Sequence, residues 1–238
     1  WAGDVAMAAL AYDEAAAHYE QALAALDLFG ERADDRRRAT LLVSAGFALQ
    51  NTGRSDTGRH LLLEAAGIAR QVGDANLLAF AALGYSELGF AVAQSRPIAL
   101  LDEAISALAD GPPFLTVALR AALSIHLANQ PARHEEALKR VDEAEAVASA
   151  SGEPVLLGYA LTARAAVLRL VPEATPEQRL ALLERAVPLM RQGGDRTVEM
   201  LNWAQIRGVQ VELGHIDAAL AANARIEAAA SRLRSRLW

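Results

Sequence analysis

Stretches rich in alanine and leucine, with apolar and polar positions at helical spacing, run along the whole chain and are interrupted about every forty residues by a glycine. These glycines are Gly30, Gly73, Gly111, Gly152 and Gly194, and four of the five directly precede an acidic residue. Glycine accepts the left-handed backbone at a helix C-terminus, and an acid can cap the helix that follows. The pattern therefore predicts an all-α fold of repeated helix pairs, an α-solenoid.

The period divides the chain into six predicted repeats within a single repeat domain of residues 1–238. Their bounds are 1–30, 31–73, 74–111, 112–152, 153–194 and 195–238. Because the chain begins with Trp1 in the middle of a repeat, we expect it to be a segment of a larger protein.

The second repeat has the clearest internal register. Gly46 takes a small position in the first helix, Gly53 lies in the turn, and Leu62 and Ala65 take a large and a small position in the second helix. The spacing of Gly46 and Gly53 favours tetratricopeptide-like pairs in a right-handed superhelix. A HEAT-like solenoid is the alternative, since a period near forty exceeds the roughly 34 residues of a tetratricopeptide repeat.

Large side chains recur at one position of the first helices. They are Leu42, Phe80, Tyr159 and Trp203. Aromatic side chains bury large areas, so we predict that these four residues pack the first helices against their neighbours.

Composition narrows the function classes. The net charge is -6, which argues against direct nucleic-acid binding by this segment. The chain has no cysteine, which excludes disulfides and thiolate metal sites, and its start lacks a basic signal-peptide region. We expect a cytoplasmic protein that does not enter a membrane, and its arginine and alanine usage suggests a bacterial, GC-rich genome.

Catalytic and cofactor patterns are missing from the sequence. No phosphate-binding glycine loop, HExxH or Gly-x-Ser-x-Gly pattern occurs, and the five histidines have no ligand spacing. We therefore predict no enzyme activity, no metal and no cofactor. Two arginine clusters, 32–38 and 232–236, are interpreted as charged helix ends, with binding of an acidic partner as the alternative.

The concave side of such a solenoid is lined by the first helices and is the predicted binding groove. Amide, aromatic and arginine side chains can satisfy a peptide backbone or a carboxylate. The predicted groove residues are Phe47, Gln50, Asn51, Tyr85, His126, Asn129, Gln130 and Arg164.

Three segments resemble a known family. The run Ala11–Leu23, the run Ala69–Asp74 and residues 172–182 resemble the helical-repeat region of large ATP-binding LuxR-type transcriptional regulators and of related multidomain signal-transduction ATPases. In that family a nucleotide-binding module precedes the repeats and a DNA-binding helix-turn-helix often follows them. The resemblance implies that these repeats receive a signal, bind a partner or hold the regulator inactive.

These observations predict a noncatalytic interaction and regulatory domain of a bacterial transcriptional regulator. Its groove would bind a protein or peptide segment, including one from another domain of the same parent chain. The alternative is a domain that senses a small-molecule inducer in the same groove.

Overall fold

The structure, a computed structural model, describes residues 1–28, 34–86, 95–109 and 111–233, without the side chains of residues 95, 96 and 231–233. Every regular element in these ranges is helical. The α-helices are α1 (Ala2–Ala8), α2 (Tyr12–Asp27), α3 (Asp35–Asn51), α4 (Ser55–Val72), α5 (Ala75–Ser86), α6 (Ser95–Leu108), α7 (Pro113–Ala128), α8 (His134–Ser151), α9 (Pro154–Leu168), α10 (Pro176–Gly193), α11 (Arg196–Glu212) and α12 (Ile216–Leu233). A short 3-10 helix, Pro131–Arg133, precedes α8.

The chain forms two compact units. The first contains Trp1–Phe90 and Ala99–Gly111, and the second contains Ala91–Ile98 and Pro112–Trp238. In the first unit α3 packs against both α4 and α5, and in the second α7 packs against both α8 and α9. Packing on the next helix and the next but one is the arrangement of an α-solenoid, so the predicted all-α solenoid class is confirmed. The right-handed sense, the tetratricopeptide type and the six repeats stay predictions.

Two of the predicted glycine-acid junctions have the expected geometry. Gly73 ends α4 and Gly194 ends α10, both in the left-handed conformation, with φ of +68° and +78°. The Asp74 carboxylate accepts hydrogen bonds from the N–H groups of the first turn of α5, and the Asp195 carboxylate accepts one from the N–H of Val198. One short segment therefore ends one helix and starts the next at each junction.

The other junctions differ in detail. Gly152 is left-handed at the end of α8, but the Glu153 side chain makes no capping hydrogen bond. The longer glutamate is a weaker N-cap than aspartate, and Pro154 begins α9 instead. Gly111 is followed by Pro112 at the N-cap of α7. The predicted junction residues Gly30, Glu31 and Asp110 lie outside the described residues.

Leu62 of α4 lies between two glycines of neighbouring helices. A Cβ atom added to Gly46 of α3 would lie 2.6 Å from Leu62 Cγ, and one added to Gly84 of α5 would lie 2.7 Å from Leu62 Cδ2. Leu62 itself is fully buried. The predicted small and large positions of the second repeat therefore meet, and the glycines allow α3 and α5 to approach α4 closely.

The four large residues that were predicted to pack the first helices are buried or partly buried. Leu42 is buried, and Phe80 and Tyr159 are partly buried. Trp203 packs against an apolar cluster of the second compact unit that contains Leu183 and Ile206. Across the described ranges, no helix has both the length and the apolar character needed to cross a bilayer.

The arginine cluster at residues 32–38 includes the predicted charged first turn of α3. Asp34 caps this helix by accepting a hydrogen bond from the N–H of Arg36 at 3.0 Å. Arg38 of α3 forms salt bridges with Asp27 of α2 at 2.5 Å and with Glu64 of α4 at 3.3 Å. It therefore links these three helices. Arg32, Arg234 and Arg236 lie outside the described residues, as does the side chain of Arg232.

Candidate functional site

Four of the predicted groove residues belong to the first compact unit, and two of them meet at Gly84 of α5. The Gln50 side-chain amide donates to the Gly84 carbonyl at 2.7 Å, and the Phe47 ring lies beside the same glycine. Tyr85, the next residue of α5, is buried. Asn51 is exposed at the end of α3 and donates to the Phe47 carbonyl at 2.8 Å. Phe47 and Gln50 therefore join α3 to α5.

Three more predicted groove residues lie at the end of α7 in the second compact unit. Asn129 is exposed, and its amide donates to the Ile125 carbonyl at 2.9 Å. His126 and Gln130 are partly buried. The amide of Asn129 therefore has the same helix-end arrangement as that of Asn51.

Arg164 of α9 is the eighth predicted groove residue. Its guanidinium group donates to Glu145 at 2.6 Å and also to Asp142, both on α8. Burial alone would lower the pKa of Arg164, but the two carboxylates outweigh it and raise the pKa. Arg164 therefore connects α8 to α9, and a ligand would have to compete with two carboxylates for it.

A cleft of about 450 Å³ opens elsewhere in the second compact unit, between the end of α10, the first half of α11 and the middle of α12. Its lining consists of charged, aromatic and small side chains: Arg191, Arg196, Glu199, Trp203, Arg225, Ala228 and Ala229. The eight predicted groove residues are absent from that lining.

Glu199 is the buried anchor of this cleft, with 5% of its surface exposed. One carboxylate oxygen accepts from Nε and Nη2 of Arg191 at 2.9 Å and 2.7 Å, and the other accepts from Nη1 of Arg196 at 2.7 Å. Burial alone would raise the pKa of Glu199, but the two guanidinium groups outweigh it and lower the pKa. Glu199 therefore stays ionised and fixes both arginines.

The junction between α10 and α11 places these residues together. Arg191 lies in the last turn of α10, Gly194 reverses the chain, and Asp195 caps α11 so that Arg196 and Glu199 occupy its first turns. Residues three apart on a helix are neighbours, which allows the contact between Arg196 and Glu199. The link to Arg191 requires the close packing of α10 on α11.

Arg225 of α12 covers the Trp203 ring. Its guanidinium carbon lies 4.6 Å from the ring centroid, within the range of a cation–π interaction. A guanidinium group stacked on a ring keeps its N–H donors directed sideways, toward acceptors in the ring's surroundings. Trp203 is therefore both a packing residue, as predicted, and part of the cleft wall.

The cleft has an excess of positive charge. Three arginines and one glutamate line it, and the Arg191 and Arg196 side chains remain 52% and 48% exposed beside the buried Glu199. Each guanidinium group has five N–H donors, so these arginines can bind a further oxyanion. Within the described residues, no group of three histidine, aspartate or glutamate side chains is placed to hold a metal ion.

Sequence reasoning assigned Trp203 to packing only and left the rest of the cleft out. The spacing of Arg196 and Glu199 was a usable local signal, because the two lie three residues apart next to a predicted helix start. Arg191 lies before the glycine of that junction and Arg225 on another helix, so their part in the cleft depends on helix packing.

Comparison with known protein families and with curated proteins found no match. The chain matches no protein-family model, and no curated protein matches it significantly. The likeness to LuxR-type regulators therefore rests on the three sequence segments alone.

Proposed function

We propose that this chain is a noncatalytic interaction and regulatory domain, of the kind that the helical repeats of large bacterial LuxR-type regulators represent. The observation that carries the proposal is the packing within each compact unit, where a helix contacts both the next helix and the next but one. Helix pairs stacked in this way form extended surfaces on which repeat proteins bind their partners. Tetratricopeptide-like repeats and a cytoplasmic location belong to the same proposal.

The partner is a protein or peptide segment, including one from another domain of the same parent chain. Asn51 and Asn129 support this choice, because both are exposed at the C-terminal end of a first helix. Each amide nitrogen donates to a carbonyl of its own helix, at 2.8 Å and 2.9 Å. In each compact unit, the amide oxygen of its asparagine is then an acceptor that can bind an N–H group of a partner segment.

A binding experiment with defined components tests the proposal. The chain is immobilised and offered the purified remaining domains of its parent protein, with and without nucleotide. We expect saturable binding that the double variant Asn51→Ala/Asn129→Ala weakens. Asn76→Ala is the matched control, because Asn76 is exposed in the first turn of α5 and is not a predicted groove residue. Absence of binding in every nucleotide state, or equal weakening by the control, would contradict the proposal.

Small-molecule inducer sensing is a second candidate, and the arginine-lined cleft of the second compact unit favours it. The sequence placed such a ligand in the groove, whereas the cleft is formed by other residues. A ligand that binds only the folded state raises the melting temperature by mass action. Thermal-shift screening of the purified chain therefore separates this candidate from a domain that binds protein partners only.

A further inference from the structure

We infer that the cleft lined by α10, α11 and α12 is a binding site for a small organic anion. The ligand class is a carboxylate or phosphate monoester attached to a flat apolar group. This inference goes beyond the proposed interaction role and rests on the second candidate function, small-molecule sensing, for which it names the ligand class. It depends on the residues of the cleft and not on the predicted groove.

The charge of the cleft selects an anion. Glu199 offsets one positive charge, and two remain among Arg191, Arg196 and Arg225. Arg191 uses Nε and Nη2 toward Glu199, and Arg196 uses Nη1. Because both side chains are about half exposed, their outward donors are accessible to an oxyanion. Such charge-assisted, often bidentate bonds are the strong ones in anion recognition.

The arginines are fixed before a ligand arrives. The Glu199 side chain is only 7% exposed and binds both guanidinium groups at 2.7 Å. Arg225 is held over Trp203 in addition. Ordering a flexible side chain on binding costs about 0.5–1.5 kcal/mol, and prior fixation reduces that cost. Because its arginines are already positioned, this positive cleft is suited to binding an anion.

The remaining lining accommodates an apolar group. Ala228 and Ala229 contribute short side chains, and Trp203, whose ring lies under Arg225, also lines the cleft. The volume of about 450 Å³ falls within the roughly 300–1,000 Å³ of sites for small molecules. A ligand that combines an oxyanion with a planar ring would use both the arginines and this apolar lining.

Tryptophan fluorescence of the full chain tests the inference. The chain contains three tryptophans, so Trp1→Phe and Trp238→Phe leave Trp203 as the reporter. The probes are benzoate and phenyl phosphate, with neutral benzyl alcohol as the uncharged counterpart. We expect saturable changes with the two anions, weaker affinity at high salt and no saturable change with benzyl alcohol.

Charge-removing variants locate the site. Arg225→Gln and Arg196→Gln should each weaken anion binding about tenfold or more, since each removes a charged hydrogen-bond donor. Arg207→Gln is the matched control, because exposed Arg207 on α11 bonds Asn223 of α12 outside the cleft lining. Arg207→Gln should bind the anions as the parent does. Thermal melts of each variant show that it is folded.

Three results would overturn the inference. The first is equal binding of benzyl alcohol and the anions, and the second is equal loss of affinity in Arg225→Gln and Arg207→Gln. The third is the absence of a saturable fluorescence change with either anion up to concentrations on the order of 10 mM. The dissociation constant would then exceed the millimolar values of low-affinity sites. The partner-binding test uses Asn51 and Asn129, so the two proposals can fail separately.

Discussion

Glu199 offsets part of the positive charge of the cleft, and its ionisation makes the stability of the fold depend on pH. Its pKa is lowered on folding, because the bonds from Arg191 and Arg196 outweigh the opposing effect of burial. A lowered carboxyl pKa stabilises the fold fully above the ordinary glutamate pKa of about 4.3 and loses that contribution as the pH falls through the folded-state pKa. Since both arginines are about half exposed, solvent screens part of this effect.

Replacing Glu199 with glutamine should lower the free energy of unfolding by about 1–2 kcal/mol at neutral pH, because two charge-assisted interactions are lost. The difference from the parent should shrink in acid, where the glutamate is protonated. Urea unfolding at neutral pH and at successively lower pH below the ordinary glutamate pKa measures this decrease. Glu184→Gln, at an exposed position of α10, is the control and should change little. A difference that does not vary with pH would contradict the role of the carboxylate charge.

Thr162 and Asn202 form a buried polar contact between α9 and α11. The Thr162 hydroxyl lies 2.8 Å from the Gly158 carbonyl oxygen and 3.0 Å from Asn202 Oδ1. Thr162→Val should destabilise the chain by about 1–3 kcal/mol, because it leaves the buried Asn202 Oδ1 without this hydroxyl partner. Chemical unfolding measures the change. Thr40→Val is the control, since exposed Thr40 bonds only its own helix, and an equal loss there would refute the inter-helix explanation.

Helix interiors and helix ends should respond oppositely to the same glycine-to-alanine change. Gly73 ends α4 with φ of +68°, so Gly73→Ala should cost about 1–2 kcal/mol through left-handed strain. Gly67 lies inside α4, and an added Cβ there meets no atom within 4 Å. Gly67→Ala should therefore stabilise the fold by about 0.5–1 kcal/mol. Thermal melts measure whether each variant is more or less stable than the parent. If both variants were stabilised, or both destabilised, this assignment of the helix end would be contradicted.

Helix ends could be predicted because their determinants are local in the chain. Gly73 and Asp74 act through their own backbone conformation and the first N–H groups beyond them. The prediction was less exact at Glu153, where a proline takes the start of the helix. The local sequence pattern predicts a glycine with positive φ and an aspartate N-cap. It does not determine which acidic side chains make the capping hydrogen bond.

The candidate site was less predictable, because polar side chains look alike in sequence whatever they bind. Gln50 was assigned to a partner groove, yet its amide donates to a neighbouring helix, and Arg164 likewise binds two carboxylates. The cleft depends on Arg191 reaching Glu199 across a helix junction and on Arg225 covering a ring of another helix. These contacts follow from helix packing, which the spacing along the chain does not determine.

Polar links between neighbouring repeats recur at nearly the repeat period. Seven of them in the described residues join positions that are 33 to 40 apart, and each lies within one compact unit: Glu20–Arg54, Arg36–Asp74, Gln50–Gly84, Arg70–Glu103, Tyr159–Asp195, Thr162–Asn202 and Arg179–Glu212. Contacts at this spacing connect one repeat to the next. The stability of such a chain is approximately a sum of repeat terms and nearest-neighbour terms, so damage to one repeat should spread only to its neighbours.

The variant Leu183→Ala tests this locality. Leu183 is buried on α10 with Val187, Ile206 and Ala222, and its truncation should cost about 2–5 kcal/mol. Hydrogen exchange should then rise in α9–α12 and much less in α3 and α4, because repeat contacts are between neighbours.

Leu220→Ala, on exposed α12 surface of the same compact unit, is the matched control and should leave exchange nearly unchanged. Amide exchange followed by mass spectrometry resolves the helices separately. An equal rise of exchange in both compact units after Leu183→Ala would show that the chain unfolds as one cooperative body. Since each described polar link at the repeat period stays within one compact unit, we expect the effect to remain in the second unit.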